Sequence, residues 1–450
     1  MSLLNECFQI YERNNKYLLV FPDIPYWMVT SKGGLEVIKM LKFSNEENDV
    51  YTEFRKKFGD KSNVKIIKKY IDNFKGIKQK KDKYLNTKKN NYRIDLCEIA
   101  LTKECNLSCQ SCYKMYGADN QKRVLDKEKI REILNQISCY ANEECRIGFV
   151  GGEPLLYWET LIDSINIARE LGFKHIFLDS NAILIDNYKA KVLADLEIES
   201  VTIVLDGITE ETHELTRPKK SFDKIINGMR ILRDAGITVV VRMAVHEKNF
   251  FEVDDFLLFC KEEKVYPSIT PLAPIGKANY LKLEPVVPSK IVLKIKNALE
   301  NGMITPSMTN FTSLQLFYNS LNKLTCKKIC NLGKSEVFID SNGDVYPCSD
   351  SVCSEYFMLG NIYDSNMNFS SIWENSTKLR EIRELSVDNF PKCKNCDIKY
   401  ICGGHCRAMT YEKTGNICSP FIWCKDLHDL YIDMMWTIAN EKVNNLKGGM

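Results

Sequence analysis

From residue 93 onward, short apolar strand candidates alternate with helical segments, and this pattern limits the folds open to the chain. One helix is predicted to begin after Ser221 as its N-cap and to end at Gly236. Repeated strand–helix units predict an α/β fold with a parallel sheet. Six units favour a partial (β/α)6 barrel, while an open doubly wound sheet remains an alternative. The strand candidates are RIDLCEIA, RIGFV, HIFL, VTIVL, TVVVRMAV and PSITPL.

Polar or glycine-rich signals follow each of the first four predicted strands. In α/β barrels the loops at the carboxyl ends of the strands build the active site, so four such signals predict one site. These signals are a C-x-x-x-C-x-x-C motif, the stretch GGEP at 151–154, DSN at 179–181 and DG at 206–207.

The charge and the apolar pattern narrow the class of protein. The 450 residues include 62 Lys and Arg against 59 Asp and Glu, a net charge of +3. This balance argues against general attraction to nucleic acid or to a membrane surface. No secretory signal and no run of about 18 apolar residues is evident. We therefore expect a cytoplasmic protein with no nucleic-acid and no membrane partner.

The chain contains 18 cysteines, of which ten lie between Cys326 and Cys424. Because the cytosol keeps thiols reduced, a disulfide framework explains them poorly. Spaced cysteines in such a chain more often bind metal or perform redox chemistry.

Three cysteines, Cys105, Cys109 and Cys112, form the motif after the first strand. A four-iron cluster takes four thiolates, so three leave one iron open to a substrate or cofactor. A zinc site would need a fourth ligand, and neither His175 nor Cys97 has ligand spacing. A redox C-x-x-C would leave Cys105 without a role. The sequence therefore favours an iron–sulfur cluster with an open iron.

The three-cysteine motif with Tyr113 after its last cysteine, followed by GGEP, resembles the radical S-adenosylmethionine (SAM) superfamily over about residues 93–290. The resemblance implies a [4Fe–4S] cluster whose open iron binds the amino and carboxylate groups of SAM. One electron would cleave the sulfonium bond, and the resulting 5′-deoxyadenosyl radical would abstract hydrogen from an unactivated carbon.

The same resemblance assigns cofactor contacts. Gly151, Gly152 and Glu153 would bind the methionine amino group, because glycines allow close backbone approach and carboxylate or carbonyl oxygens accept from an ammonium. The ordinary alternative for GGEP is a tight turn after a buried strand. Further contacts are expected from Ser180, Asn181 and Arg217.

The C-terminal cysteines resemble the SPASM domain, which implies two further [4Fe–4S] clusters and three in all. A zinc ribbon would explain four of these cysteines but not seven. Cys326 is a possible fourth ligand of the inner cluster; without it, an open iron could hold a substrate thiolate. The expected outer ligands are Cys393, Cys396, Cys402 and Cys424, and the expected inner ligands are Cys330, Cys348 and Cys406.

Residues 1–80 show three short strands and then helical spacing, the order of a winged helix-turn-helix. Ahead of the other motifs this resembles the recognition element of ribosomal-peptide maturases, in which a leader peptide adds a strand to a sheet edge. DNA binding and a purely structural cap are the alternatives. Lys65, Lys68 and Lys69 could face phosphate, but nearby acidic residues oppose a basic patch.

The expected organisation has six parts. They are a winged-helix leader-binding domain at 1–80, a linker at 81–92, a radical SAM partial barrel at 93–295, a bridging segment at 296–325, a SPASM domain at 326–430 and a C-terminal helix at 431–450.

The resemblance to sactipeptide maturases implies an oxidoreductase that joins a cysteine sulfur to a carbon of a precursor peptide, supplied with electrons by a reductant such as flavodoxin or ferredoxin. Carbon–carbon crosslinking is the close alternative. Formylglycine formation of the sulfatase-maturing type is another, although those relatives carry an acid directly after the cysteine of G-x4-C and this chain has Ser349 there. An iron–sulfur DNA-binding sensor is the non-enzymatic alternative. No residue stands out as the general base.

Overall fold

The computed structural model describes residues 7–44, 46–59, 65, 67–74, 92–117, 123–323 and 326–447. All but the last residue of the predicted linker at 81–92 lie outside the described residues.

The first elements form a three-stranded antiparallel sheet followed by helices, and the predicted strands are confirmed. Asn14 and Asn15 join the first two strands with φ angles of 49° and 58°. A two-residue turn with two positive φ angles matches the twist of the strands and favours asparagine. The elements are β1 (Gln9–Arg13), β2 (Lys16–Phe21), β3 (Tyr26–Ser31), α1 (Lys32–Phe43), α2 (Glu47–Phe58) and α3 (67–74).

Six parallel strands follow, each hydrogen-bonded to the next in chain order. The order lacks the reversal that a doubly wound sheet requires, so right-handed crossovers place the connecting helices on one face. This arrangement is the one that a partial barrel needs. The strands are β4 (Ile94–Ala100), β5 (Ala141–Val150), β6 (His175–Asp179), β7 (Ser200–Val204), β8 (Val239–Val245) and β9 (Tyr266–Pro271).

The helices of this region are amphipathic and cover the strands. Ser221 stands directly before the helix as its N-cap residue, as predicted, but its side chain makes no capping hydrogen bond. Its backbone is already helical, and its hydroxyl donates to the carbonyl of Pro218 at 2.6 Å. Gly236 does end the helix, with a φ of +86°. The helices are α4 (Lys127–Tyr140), α5 (Trp158–Glu170), α6 (Asn187–Asp195), α7 (Glu210–His213), α8 (Phe222–Asp234), α9 (Val253–Glu262), α10 (Pro288–Glu300) and α11 (Ser313–Lys323).

The cysteine-rich region continues the same sheet, which the sequence did not predict. Its first strand pairs with β4 in parallel, and two antiparallel strands extend the sheet to nine. The closing helix begins at Cys424 rather than at 431. The elements are β10 (Glu336–Ile339), β11 (Asp344–Tyr346), β12 (Gly360–Asn361), α12 (Phe369–Asn375), α13 (Thr377–Glu384), α14 (Lys399–Cys402), α15 (Arg407–Thr414) and α16 (Cys424–Lys447).

The N-terminal sheet packs between its own helices and α16. Leu19 and Phe21 point into a small core with α1, whereas Leu18 and Val20 join the main core. At its edge, the Tyr11 hydroxyl donates to Asp397 at 2.5 Å, and Arg13 forms an ion pair with an aspartate of α16. The N-terminal unit is therefore docked on the cysteine-rich region. Among the described helices, none has both the length and the apolar character that a membrane span requires.

Candidate functional site

The three-cysteine loop lies at the carboxyl end of β4, where the sequence predicted the site. The backbone N–H of Leu107 donates to Cys105 Sγ at 3.4 Å, and Arg217 Nη1 donates to Cys109 Sγ at 3.3 Å. Burial raises the pKa of the Cys105 thiol to about 12. A thiol in such a place becomes a thiolate at neutral pH when a metal binds it, and donors aimed at the sulfurs suit metal-bound thiolates.

The GGEP stretch packs directly on this loop. Gly152 N–H donates to the Thr102 carbonyl at 2.8 Å, and Glu153 N–H donates to the Glu104 carbonyl at 2.9 Å. A Cβ at Gly151 would lie 2.4 Å from Thr102 O, and one at Gly152 would lie 2.1 Å from Glu104 O. Both positions therefore require glycine, because two backbone segments meet there.

Glu153 is fully buried and joins two of the loops. Its carboxylate accepts from Ser180 Oγ and from the backbone N–H of Asn181, both at 2.8 Å, and from Leu155 N–H at 3.1 Å. Burial raises the pKa of Glu153 to about 7 although these three donors lower it. The Glu153 side chain, which the sequence assigned to the cofactor, therefore holds the loop after β6 in position. The Ser180 hydroxyl donates its hydrogen bond to this carboxylate.

Asn181 connects the same loop to the cysteines. Its Nδ2 donates to Asn106 Oδ1 at 2.7 Å and lies 3.9 Å from Cys105 Sγ. Of the two cofactor contacts predicted after β6, Ser180 and Asn181, it is Asn181 that reaches Cys105.

Arg217 bridges the loop after β7 and the cysteine motif. Its Nε donates at 2.8 Å to Asp206, which is fully buried and also accepts from Thr216 Oγ1 at 2.6 Å and Ala244 N–H at 3.0 Å. Burial alone would raise the pKa of Asp206, but Arg217 and these donors hold it below its usual range. The four predicted loops therefore meet at one site.

Several charged side chains lie around Tyr113, and we call this group of residues the charged chamber. Burial raises the pKa of Tyr113, and four of these residues act on it electrostatically. Lys114 Nζ lies 5.4 Å from the Tyr113 ring centre. Among these residues the sequence pointed only to Asp179, through the DSN stretch; for Glu98 and Arg242 the available signal was a charge inside an apolar strand. The chamber residues are Glu98, Lys114, Asp179, Arg242 and Asp350.

The structure brings the C-terminal cysteines together in two groups. The thiols within each group are close enough to raise one another's pKa. Burial is the largest cause, and it raises the pKa of Cys402 to about 11. The inner group contains Cys330, Cys348 and Cys406, and the outer group contains Cys393, Cys396, Cys402 and Cys424.

Three other cysteines occupy different surroundings. Cys326 lies beside Lys328, Asp388 and Lys399, and these charges act on it most strongly. Cys353, which had no assigned role, contacts the carbonyl of Tyr113 at the border of the chamber. Cys418 lies against a small apolar cluster that also contacts Cys326.

The donor sets fit iron–sulfur clusters. All 18 cysteines are free, and the motif and group cysteines are only partly packed, except for Cys109. Cys406 Sγ accepts from the N-terminus of α15, at Met409 N–H. Partly accessible thiols that share a space and accept N–H donors are what a cluster requires.

Comparison with known proteins agrees with this geometry. The Radical SAM superfamily profile matches residues 99–260, and the SPASM iron–sulfur cluster-binding domain profile matches residues 330–397. The chain carries a radical SAM domain followed by a SPASM domain. These two domains imply iron–sulfur clusters and SAM.

Curated relatives of this radical SAM protein share about a quarter of its residues. Mycofactocin maturase of Mycobacterium tuberculosis is 26% identical over 321 residues, which are 69% of this chain and 78% of the relative. The cysteine-type anaerobic sulfatase-maturating enzyme of Clostridium novyi is 24% identical over 351 residues, covering 73% and 91%.

Solved structures share its fold. AnSMEcpe with bound AdoMet superimposes with a TM-score of 0.62 at 22% identity, over 77% of this chain and 99% of that one. Streptococcus suis SuiB bound to precursor peptide SuiA gives a TM-score of 0.59 at 14% identity, over 94% and 100%.

Proposed function

We propose that this radical SAM protein binds a ribosomally made precursor peptide and joins a cysteine sulfur of that peptide to a carbon. The observation that carries the proposal is the N-terminal sheet. Both of its outer strands, β1 and β3, lack strand partners among the described residues, and the sheet is docked on the SPASM side of the molecule. An unpaired outer strand presents free backbone N–H and C=O groups, and a peptide can add a strand to such an edge.

The proposed domains are those expected from the sequence. A winged-helix unit at 1–80 would hold the leader, a partial six-stranded barrel at 93–295 would hold the reacting residue, and the SPASM domain at 326–430 would hold two clusters. A third cluster, at Cys105, Cys109 and Cys112, would bind SAM with the help of Gly151, Gly152, Asn181 and Arg217. When bound, SAM and its cluster would supply the radical chemistry that removes hydrogen from carbon, and an auxiliary cluster held by the SPASM cysteines would supply an acceptor for the electron released on bond closure.

The chamber residues would handle charge and protons around the bound peptide. Glu98 is the proton acceptor that we favour for the substrate thiol. It lies on β4 facing the chamber, and burial raises its pKa, which makes it a better base near neutral pH than an ordinary carboxylate. Lys114 and Arg242 would offset the negative charge.

The comparisons support peptide binding over DNA binding. The match to SuiB leaves 6% of this chain uncovered, so it extends into the first 80 residues, and that structure holds a precursor peptide. The alternatives of carbon–carbon crosslinking and formylglycine formation keep the same clusters and cofactor, and they differ in the product.

Proline substitutions test the leader-binding edge. Because a two-residue turn pairs Arg13 with Lys16, the N–H of Ile10 points away from β2, and by the same alternation the N–H of Val29 points outward from β3. Proline is tolerated at such edge positions but removes one donor. We expect either Ile10→Pro or Val29→Pro to weaken binding of a candidate cysteine-rich precursor peptide roughly tenfold.

The other proline variant is the matched control, and Ile10→Ala and Val29→Ala control for the lost side chains. SAM cleavage without peptide should be unchanged in all four variants. Unaltered peptide affinity in both proline variants would refute leader binding at this sheet.

A further inference from the structure

Arg407 is the largest fully buried side chain among the described residues. It directly follows Cys406 of the inner group and is the first residue of α15. The loop before it joins that cysteine to Cys402 of the outer group. A Cβ at Gly404, in the middle of this loop, would lie 3.4 Å from the guanidinium carbon. The Arg407 side chain therefore packs against the loop that connects the two cysteine groups.

The guanidinium of Arg407 donates to neutral acceptors. In the part of the chain that the structure describes, no carboxylate lies within ion-pair distance of it, and its hydrogen-bond partners are backbone carbonyls. Nη1 donates at 3.0 Å to Ile417 and at 2.8 Å to Ser419, Nε donates at 3.4 Å to His405, and Nη2 donates to Gly404.

A positive charge in this place is unfavourable unless a negative charge joins it. Burial removes the solvation of the guanidinium, and the dipole of α15 disfavours a cation at its first residue. The carbonyls and the ring of Phe390, whose centre lies 5.3 Å from the guanidinium carbon, offset part of this cost. A neutral amide could make some of the same hydrogen bonds without the cost of a buried charge, so holding the loop does not by itself explain an arginine.

The cysteines supply the negative charge once they bind metal as thiolates. Burial raises the pKa of Cys330 in the inner group and of Cys393 and Cys402 in the outer group, and the charge of Arg407 opposes this effect at all three. One cation thus acts on both groups.

We propose that Arg407 is the shared counter-charge of the two auxiliary clusters and raises the reduction potential of both. This inference rests on the proposed function, in that the inner and outer cysteines hold clusters. The potential of an iron–sulfur cluster depends on the charges around it, and a positive charge favours the reduced state, which carries one more electron. Arg407 thereby makes both clusters better acceptors for the electron released on bond closure.

The test uses the full chain with Cys105, Cys109 and Cys112 changed to alanine, so that only the auxiliary clusters form. After anaerobic reconstitution this parent should hold about eight irons. A redox titration followed by electron paramagnetic resonance then gives the potential of each cluster. We expect Arg407→Gln to lower both potentials by about 59 mV, a tenfold fall in the ratio of reduced to oxidised cluster at a fixed solution potential. Arg407→Lys keeps the charge and should stay close to the parent.

Arg383→Gln is the matched control. Arg383 also donates to two backbone carbonyls, at 2.8 Å to Gly333 and at 2.9 Å to Trp373, but it is not among the charges that act most strongly on the cysteines of either group. Its replacement should leave both potentials unchanged. If Arg407→Gln does not load with iron, recovery of eight irons at the parent potentials in Arg407→Lys would support the role of the charge.

Several results would overturn the proposal. Parent potentials in a loaded Arg407→Gln would show that the charge does not act on the clusters. An Arg407→Lys variant that behaves like Arg407→Gln would mean that the fork of hydrogen bonds matters and the charge does not. A shift in one cluster alone would exclude a shared role. A parent that holds only about four irons would instead remove one of the clusters, and with it that part of the proposed function.

Discussion

At the scale of single residues, the site depends on buried charges whose partners come from different strands. Asp206 and Arg217 illustrate this, because each stabilises the other and Arg217 also reaches Cys109. The cysteine motif and the glycines were predictable from the sequence, since each is a local pattern. The charged chamber was predictable only at Asp179, through the DSN stretch, because Glu98 and Arg242 stand alone in separate strands and only the fold brings them together.

Glu153 should make the stability of the cofactor-free protein depend on pH. Its folded pKa of about 7 exceeds that of free glutamate, so between these values the folded chain holds a proton that the unfolded chain has released. Stability should therefore fall as pH rises from 5 to 8, by about 3 kcal/mol from this residue.

The measurement is the free energy of unfolding of the reduced apoprotein at pH 5 and pH 8. Glu153→Gln should lack this slope, whatever its absolute stability, because glutamine does not titrate. Glu159→Gln, at an exposed glutamate of α5, is the matched control and should keep the slope. Equal slopes in the wild type and Glu153→Gln would contradict the assignment.

At the scale of elements, most strands and helices followed from local periodicity, and the turn at Asn14 and Asn15 from its residue types. The pairing of β10 with β4 did not, because parallel pairing between distant segments leaves no local signal. The start of α16 at Cys424 was also missed. Its first residue belongs to the outer cysteine group, so the helix begins where the proposed cluster would be held.

The contact between β1 and the SPASM domain should hold the N-terminal sheet in place. The Tyr11 hydroxyl donates to Asp397, which also bonds His428 Nε2 at 2.8 Å. Hydrogen bonds to charged groups contribute about 1.5–3 kcal/mol, so Tyr11→Phe should lower the local opening free energy of β1 and β2 by roughly that amount. Hydrogen–deuterium exchange measures it.

In that experiment, exchange in α5 should be unchanged, since this helix packs against α4. Tyr188→Phe, at an exposed tyrosine of α6, is the control substitution. If β1 and β2 of the Tyr11→Phe variant exchange at the wild-type rate, the hydrogen bond does not hold the sheet, and the apolar face with Leu18 and Val20 docks it alone.

At the scale of the whole molecule, one nine-stranded sheet joins the barrel strands to the SPASM hairpin, and the N-terminal sheet packs on α16. This continuity fixes the proposed leader site, the chamber and the cluster groups relative to one another. A peptide held at the N-terminal edge would then reach the chamber through a constant span, which favours modification at defined positions.

The intact mass of the precursor peptide tests the central claim most directly. A cysteine-rich precursor peptide that binds the protein would be incubated anaerobically with reconstituted enzyme, SAM and a one-electron reductant. We predict a loss of about two mass units per event, because a thioether removes one hydrogen from sulfur and one from carbon. An unchanged mass while 5′-deoxyadenosine accumulates would contradict the crosslinking function.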